Sequence, residues 1–225
     1  MKRTNTFEVV PQSEQADTVL RRLLDASASL WNELTYERRQ RFFNGESVWD
    51  CNGYKDEYVD LIGSATTAQV ARQNDQAWRS FFELCETPDH HPNPPGYWGN
   101  RDAGRELRTF IRKDMYSLRW GEHSRLEVPI GRDLKDEYGF GRYERLRVPV
   151  RGDPQWAGEQ GQLRLTYDEV KERYRAYQSV TVPDEERTTP TGESIAALDI
   201  GANVLVACTT TAGDQYWYSG QEPFR

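Results

Sequence analysis

Apolar residues recur at two different periods along this chain, and the change from one to the other divides it. In "TNTFEVVP", Phe7 and Val9 fall on one face and Pro11 ends the run, which predicts a short strand. Ser13 then stands where a helix N-cap belongs, with Glu14 and Asp17 in the following turn. Leu20, Leu23, Leu24, Leu30, Trp31 and Leu34 form a helical stripe, so the pattern predicts one long helix reaching about Phe43. "GSATTAQVARQNDQAWRSFFELC" predicts another, with Val70, Ala77, Trp78, Phe81 and Cys85 on one side, and a shorter helix covers Tyr54 to Ile62. The Trp78/Phe81/Phe82 stripe reads as core against the first helix rather than as a platform for stacking bases.

"ETPDHHPNPPGYWGNRDAG" breaks all periodicity, with four prolines and three glycines in 19 residues, and predicts a loop. Beyond it the period becomes two. "SRLEVPI", "ERLRVPV", "QLRLTYD" and "RYRAYQSVTV" each alternate, separated by turn clusters, which predicts a small antiparallel barrel interrupted by the helical block. In "RLRVPVR", Arg145, Arg147 and Arg151 fall opposite the valines, a geometry suited to backbone phosphates. "PDEERTTPTGES", from Pro183 to Ser194, is a polar linker at which a domain boundary is expected.

Charge sharpens this picture. The chain of 225 residues carries 24 Arg but five Lys, and 36 acids against 29 bases, a net charge of −7. Scarce lysine with abundant carboxylates is the surface style of a high-salt cytoplasm, so a halophilic source is expected. The balance is uneven: residues 101–151 hold 13 bases and nine acids, against 10 and 15 before them and six and 12 after. A basic island in an acidic chain is either a polyanion-binding surface or a solvated face.

Mean hydropathy is −0.87, and no stretch approaches the apolar length of a membrane span. The N-terminus lacks the apolar core of a signal peptide, so a cytoplasmic protein is expected. Cys51, Cys85 and Cys208 are too widely spaced for a disulfide framework or a zinc pair, and His90 and His91 fit no established ligand spacing.

The stretch with the most chemistry is "SIAALDIGANVLVACTTTAGDQYWYSG". An apolar run, expected to be buried on both faces, ends at Asp199, and a glycine-containing turn and two further strand-like runs follow. Three readings stay open for this carboxylate. It can be the strand Asp of an RNase H-like nuclease, shared by two Mg²⁺ ions that clamp the attacking and leaving oxygens of a phosphodiester. It can open the nucleotide site of an actin-like ATPase, although only 26 residues follow it. Or it can simply start a hairpin turn.

Taken together, these segments resemble the N-terminal half of TnpB (OrfB), the transposon-associated RNA-guided DNA nuclease related to type V CRISPR effectors. The resemblance rests on "LWNELTYERRQ", "TTAQVARQNDQAWRSFFEL", "PNPPGYWG" and "ALDIGANVLVACTTTAGDQY", the last being similar to the family's first RuvC motif. It implies an α+β protein: a wedge-type antiparallel β-barrel from residues 1–10 and 100–182, a helical recognition insertion at 11–99, a linker at 183–194, and the first β-meander of an RNase H-like (RuvC) domain at 195–225. Asp199 is then the first catalytic, metal-binding carboxylate, with Mg²⁺ as the cofactor. Guide RNA and target DNA are the implied partners, with a full-length nuclease as a further one. Arg101, Arg105, Arg108, Arg112, Lys113, Arg145, Arg147 and Arg151 are the implied nucleic-acid contacts. The family's remaining catalytic acids and its zinc ribbon lie downstream of this point, so a truncated chain without cleavage activity of its own is expected. The alternative is a non-catalytic RNA-binding or regulatory module derived from the same family.

Overall fold

The computed structural model describes residues 1–51, 53, 55–88, 91–99, 106–183, 195–200 and 204–219. Backbone contacts divide the chain into two units, Met1–Asp184 and Glu185–Arg225.

The first unit opens with β1 (Lys2–Val9), whose burial alternates so that Asn5, Phe7 and Val9 face inward. Helix α1 (Glu14–Phe43) starts at Ser13, whose Oγ accepts the Ala16 amide at 3.1 Å. Its apolar stripe is buried from Val19 to Leu34. Then come α2 (Lys55–Ile62) and α3 (Ser64–Cys85), in which Val70, Trp78 and Phe81 are buried, so the aromatic stripe is core as expected. Phe42 packs edge-on to Phe81 at 5.3 Å between ring centres and is joined by Phe82 and Val48.

The strands that follow are β2 (Arg108–Ile111), β3 (Ser117–Arg119), β4 (Arg125–Val128), β5 (Leu146–Arg151), β6 (Glu159–Asp168) and β7 (Arg173–Thr181), with the short helix α4 (Arg132–Tyr138) after β4. The four alternating segments became β4 to β7. In β2 the polar Thr109 is buried while Phe110 faces outward, which hides the alternation, β3 has only three residues, and α4 has a single buried residue, Leu134.

The strands form one antiparallel sheet in the order β2-β6-β7-β1-β5-β4-β3. The expected barrel does not close among the described residues: β2 and β3 are the edges, and they do not pair with each other. Helices α1 and α3 both pack against β2, where a closing strand would have to come. Sheet curvature is still built in, because the β6–β7 register shifts between Gln160 and Leu163. Gly161 is required at that bulge, since a Cβ there would stand 2.8 Å from the Ser179 carbonyl oxygen.

One face of the sheet packs on α1 and forms the core. The Ser27 hydroxyl meets Thr109 Oγ1 at 2.8 Å, both residues being fully buried, and the Tyr174 hydroxyl donates to Asp17 at 2.8 Å. On the same side Tyr116 donates to the Gly161 carbonyl at 2.8 Å, and burial pushes its phenol from 10.0 up to about 12. Burial, reinforced by the Asp17 and Glu33 carboxylates, likewise holds the Tyr174 and Tyr58 phenols above their ordinary value. All three raised groups favour the protonated phenol in the folded state. Their contribution is complete below the unfolded phenol value of about 10 and is lost as pH rises through the folded values. Thermal midpoints should therefore hold steady from pH 8 to about 10 and fall above it, with a shallower fall in Tyr174→Phe. A midpoint insensitive to alkali would overturn this account.

The second unit is a three-stranded antiparallel meander of β8 (Ala196–Asp199), β9 (Val204–Thr210) and β10 (Gln215–Ser219), in the order β10-β9-β8. The sequence suggested that β8 is buried on both faces. Instead every residue of it is exposed, with Leu198 at 66% and its neighbours Ile195 and Ile200 at 71% and 78%. A strand is buried on both faces only between two layers, and among the described residues of this unit there is a single sheet.

Candidate nucleic-acid interface

Antiparallel register puts paired residues on the same side of a sheet, so the outer face can be read across all seven strands. One row runs Arg108 (β2), Thr166 (β6), Arg175 (β7), Glu8 (β1) and Arg151 (β5). The next has Phe110, Arg164, Tyr177 and Thr6. Towards the other edge Arg147 pairs with Glu127, and Arg125 with Arg119. Arg173 and Lys2 complete the basic set, paired in register with Asp168 and Thr181. Among the register-paired residues of these strands, eight arginines and Lys2 thus share this face with four acids, Glu8, Glu127, Glu159 and Asp168. The outward residues are half-buried or exposed, whereas most of their neighbours along the central stretches of the strands are core.

Acids on this face are shared rather than matched one to one. Glu127 takes both Arg125 at 3.0 Å and Arg147 at 3.5 Å, and Glu8 approaches Arg151 at 3.7 Å. Arg164 lies over the Tyr177 ring at 4.4 Å, which orients its guanidinium without cancelling its charge. The Nε atoms of Arg164 and Arg173 are covered and have no acceptor among the described residues. Beside β5, Arg125, Arg147 and Arg151 line a groove of about 640 Å³ together with His123 and Gln12. Planar, forked guanidinium groups in such a groove match the oxygens of a phosphodiester.

The residues expected from sequence separate into three groups. Arg147 and Arg151 project outward from β5 opposite the buried Val148 and Val150, as the alternation required, and Arg145 is half-buried just before that strand. Arg112 and Lys113 are exposed but held by acids: Arg112 forks onto Asp114 at 2.5 and 2.7 Å, and Lys113 meets Glu159 at 2.7 Å. Those contacts pull the Asp114 and Glu159 carboxyls below their ordinary range. Arg108 belongs to the outer face, paired with Glu106 and lying over Trp98 at 5.1 Å. Arg101 and Arg105 lie outside the described residues. Sequence reasoning did not single out Lys2, Arg119, Arg125, Arg164, Arg173 or Arg175, although "LRLTYD" and "RYRAY" place the last three on the polar side by the same alternation.

Asp199 ends β8 and shares a cross-strand row with Ala207 and Trp217. It borders a depression of about 320 Å³ formed with Ala197, Thr209 and Gln215. Its carboxylate is exposed, and among the described residues no group of three or more His, Cys, Asp or Glu side chains could hold a metal ion. The residues present therefore offer one oxygen ligand and do not by themselves fit a Mg²⁺ pair. His91 is exposed, and His90 lies outside the described residues. The three cysteines are free thiols, of which Cys51 is buried, Cys85 exposed and Cys208 intermediate.

The TnpB-like protein ORF457 of Acidianus two-tailed virus is 32% identical to this chain over 249 residues, covering 97% of the chain and 51% of that relative. The chain belongs to the TnpB-like family. It spans about half the length of the curated relative it matches. No family model matches it. Among solved structures, a CRISPR-Cas12f ternary complex overlaps 94% of the chain and 50% of its counterpart, with a TM-score of 0.48 and 12% identity. A Cas12f1–sgRNA–target DNA complex overlaps 94% and 51%, with a TM-score of 0.41 and 10% identity. In this TnpB-like chain no described helix is long and apolar enough to cross a membrane.

Proposed function

We propose that this TnpB-like chain is a nucleic-acid-binding part of an RNA-guided DNA endonuclease, and that it grips guide RNA and target DNA by their backbones. The observation that carries this is the outer face of the sheet, where eight arginines and Lys2 oppose four acids although the whole chain is acidic. Backbone contacts of this kind fix position and leave sequence to base pairing. In this reading residues 1–10 and 100–182 act as the wedge, 11–99 as the recognition insertion and 183–194 as a linker. Residues 195–225 begin the RuvC segment, with Asp199 as its first metal-binding carboxylate. Mg²⁺ bound there would supply Lewis-acid chemistry, with its other ligands coming from beyond the described residues. A non-catalytic binding or regulatory role beside a full-length nuclease is the second reading, favoured because the basic face is assembled within the first unit alone.

Titrating the chain with RNA from transposon ends over a range of KCl tests the proposal. Each neutralised phosphate contributes about −0.7 to −0.9 to the slope of log K against log salt. Four to six contacts should therefore give a slope of roughly −3 to −5. A flat salt dependence would remove the phosphate face, and equal affinity for unrelated RNA would remove guide recognition.

A further inference from the structure

A second surface, with different chemistry, lies at the C-terminal end of α1. Tyr36 and Phe43 are 59% and 65% exposed although both are large rings. They sit seven residues apart, so they share one helix face about 10 Å apart along the axis. Arg39 stands between them. Its guanidinium carbon is 5.6 Å from the Phe43 ring centre and 5.9 Å from that of Tyr97, which is itself 45% exposed. Arg39 Nη1 donates to the Pro94 and Pro95 carbonyls at 3.1 Å each, so the loop before the sheet holds the guanidinium in place, and among the described residues no carboxylate pairs with it. Its neighbours differ: Arg38 is tied to Asp75 at 2.5 Å, and Arg41 to Glu37 at 3.0 Å.

These rings are mounted on a rigid base. Phe42, next to Phe43, belongs to the packed cluster with Trp78, Phe81 and Phe82, and Trp78 is fully buried. The core thus consumes one set of aromatics and leaves another in water, interleaved with a fixed cation. Isolated exposed rings need no explanation, but a ring–guanidinium–ring layer does.

We infer that the Tyr36–Arg39–Phe43–Tyr97 face binds unpaired bases of a single-stranded nucleic acid by stacking. Charge complementarity selects this occupant. An apolar protein segment laid over the face would bury the Arg39 charge against no carboxylate, which is costly. A base instead offers a π-face to ring and guanidinium alike, and its phosphate supplies the counter-charge. The inference deepens the nucleic-acid reading by assigning bases to this face and backbones to the sheet.

The test compares a 15-nucleotide oligouridine with a fully paired RNA hairpin whose strands are joined by a non-nucleotide linker in place of a loop, each titrated against the whole chain. Phe43→Ala combined with Tyr97→Ala is expected to weaken oligouridine binding about 10- to 100-fold and to leave hairpin binding unchanged. Phe43→Tyr with Tyr97→Phe should keep wild-type affinity, which separates stacking from a folding defect. Unchanged oligouridine affinity in the alanine variant, or equal loss for both probes, overturns the inference. So does concentration-dependent self-association of the wild type that the alanine pair abolishes, since the face would then join two copies. Loss of hairpin binding alone, in outer-sheet arginine variants, would bear on the sheet reading and leave this one standing.

Discussion

Replacing Arg151, Arg164 and Arg175 together by Gln is expected to lower affinity for a paired RNA on the order of 100-fold at about 0.1 M salt. Register is the reason these three act together. Arg151 and Arg175 flank Glu8 in one row, and Arg164 stands one row away on the same face, beside Arg175 on the neighbouring strand. A hydrogen bond to a charged group is worth about 1.5–3 kcal/mol in a protected setting and less where water competes. Three partly solvated contacts at about 1 kcal/mol each give the stated loss. The salt slope should become shallower by about 2 to 3 units, because fewer counter-ions are released. Glu8→Gln supplies the opposite sign: it removes the acid in the middle of the row and should raise affinity. The fold should survive the triple variant, since these side chains project away from the core; the local losses are the exposed Arg151–Glu8 pair and Arg164 over Tyr177, the latter about 0.5–1 kcal/mol. A variant that folds normally, keeps its salt slope and binds as before would remove the outer sheet as the interface.

That interface was half legible in the sequence, and the reason is geometric. Periodicity found α1, α3 and β4 to β7 because each lies in a segment whose apolar residues repeat. It also put Arg147 and Arg151 on the correct side of β5. Charge was then averaged along the chain, and that average placed Arg164, Arg173 and Arg175 in the acidic segment after residue 151. A sheet does not average along the chain. It sets β7 beside β1 and β6 and brings those arginines onto one face with Arg151 and Arg108, where the β1–β5 and β1–β7 pairings join residues more than a hundred positions apart. Closure of the barrel was misjudged for a related reason, because alternation reports which face is apolar and not whether the end strands meet. The strand that ends at Asp199 was predicted, but its apolar neighbours, taken as buried, are exposed, and among the described residues of that unit there is a single sheet.

The largest stability effect expected in the helical part comes from a residue that apolar periodicity ignores. Asn74 is fully buried on α3, where its carbonyl oxygen accepts Arg38 Nη1 at 2.8 Å and its amide donates to Thr35 Oγ1 at 2.9 Å. Arg38 is 4% exposed, and its other arm reaches Asp75, while its Nε already lacks a partner. In "YERRQR" it reads as one more solvated cation, yet it crosses from α1 into the α1–α3 contact. Asn74→Ala would leave a buried guanidinium N–H without an acceptor and Thr35 without its donor, at a cost of about 3–5 kcal/mol. For a unit of this size that corresponds to roughly 6–20 °C in thermal midpoint. Replacing the pair by apolar side chains, Arg38→Met with Asn74→Leu, should recover most of the loss, because the desolvation penalty disappears with the charge. If the double variant is as unstable as Asn74→Ala, packing volume rather than the stranded charge sets the cost, and the buried clasp does not hold α1 to α3 in the way these distances indicate.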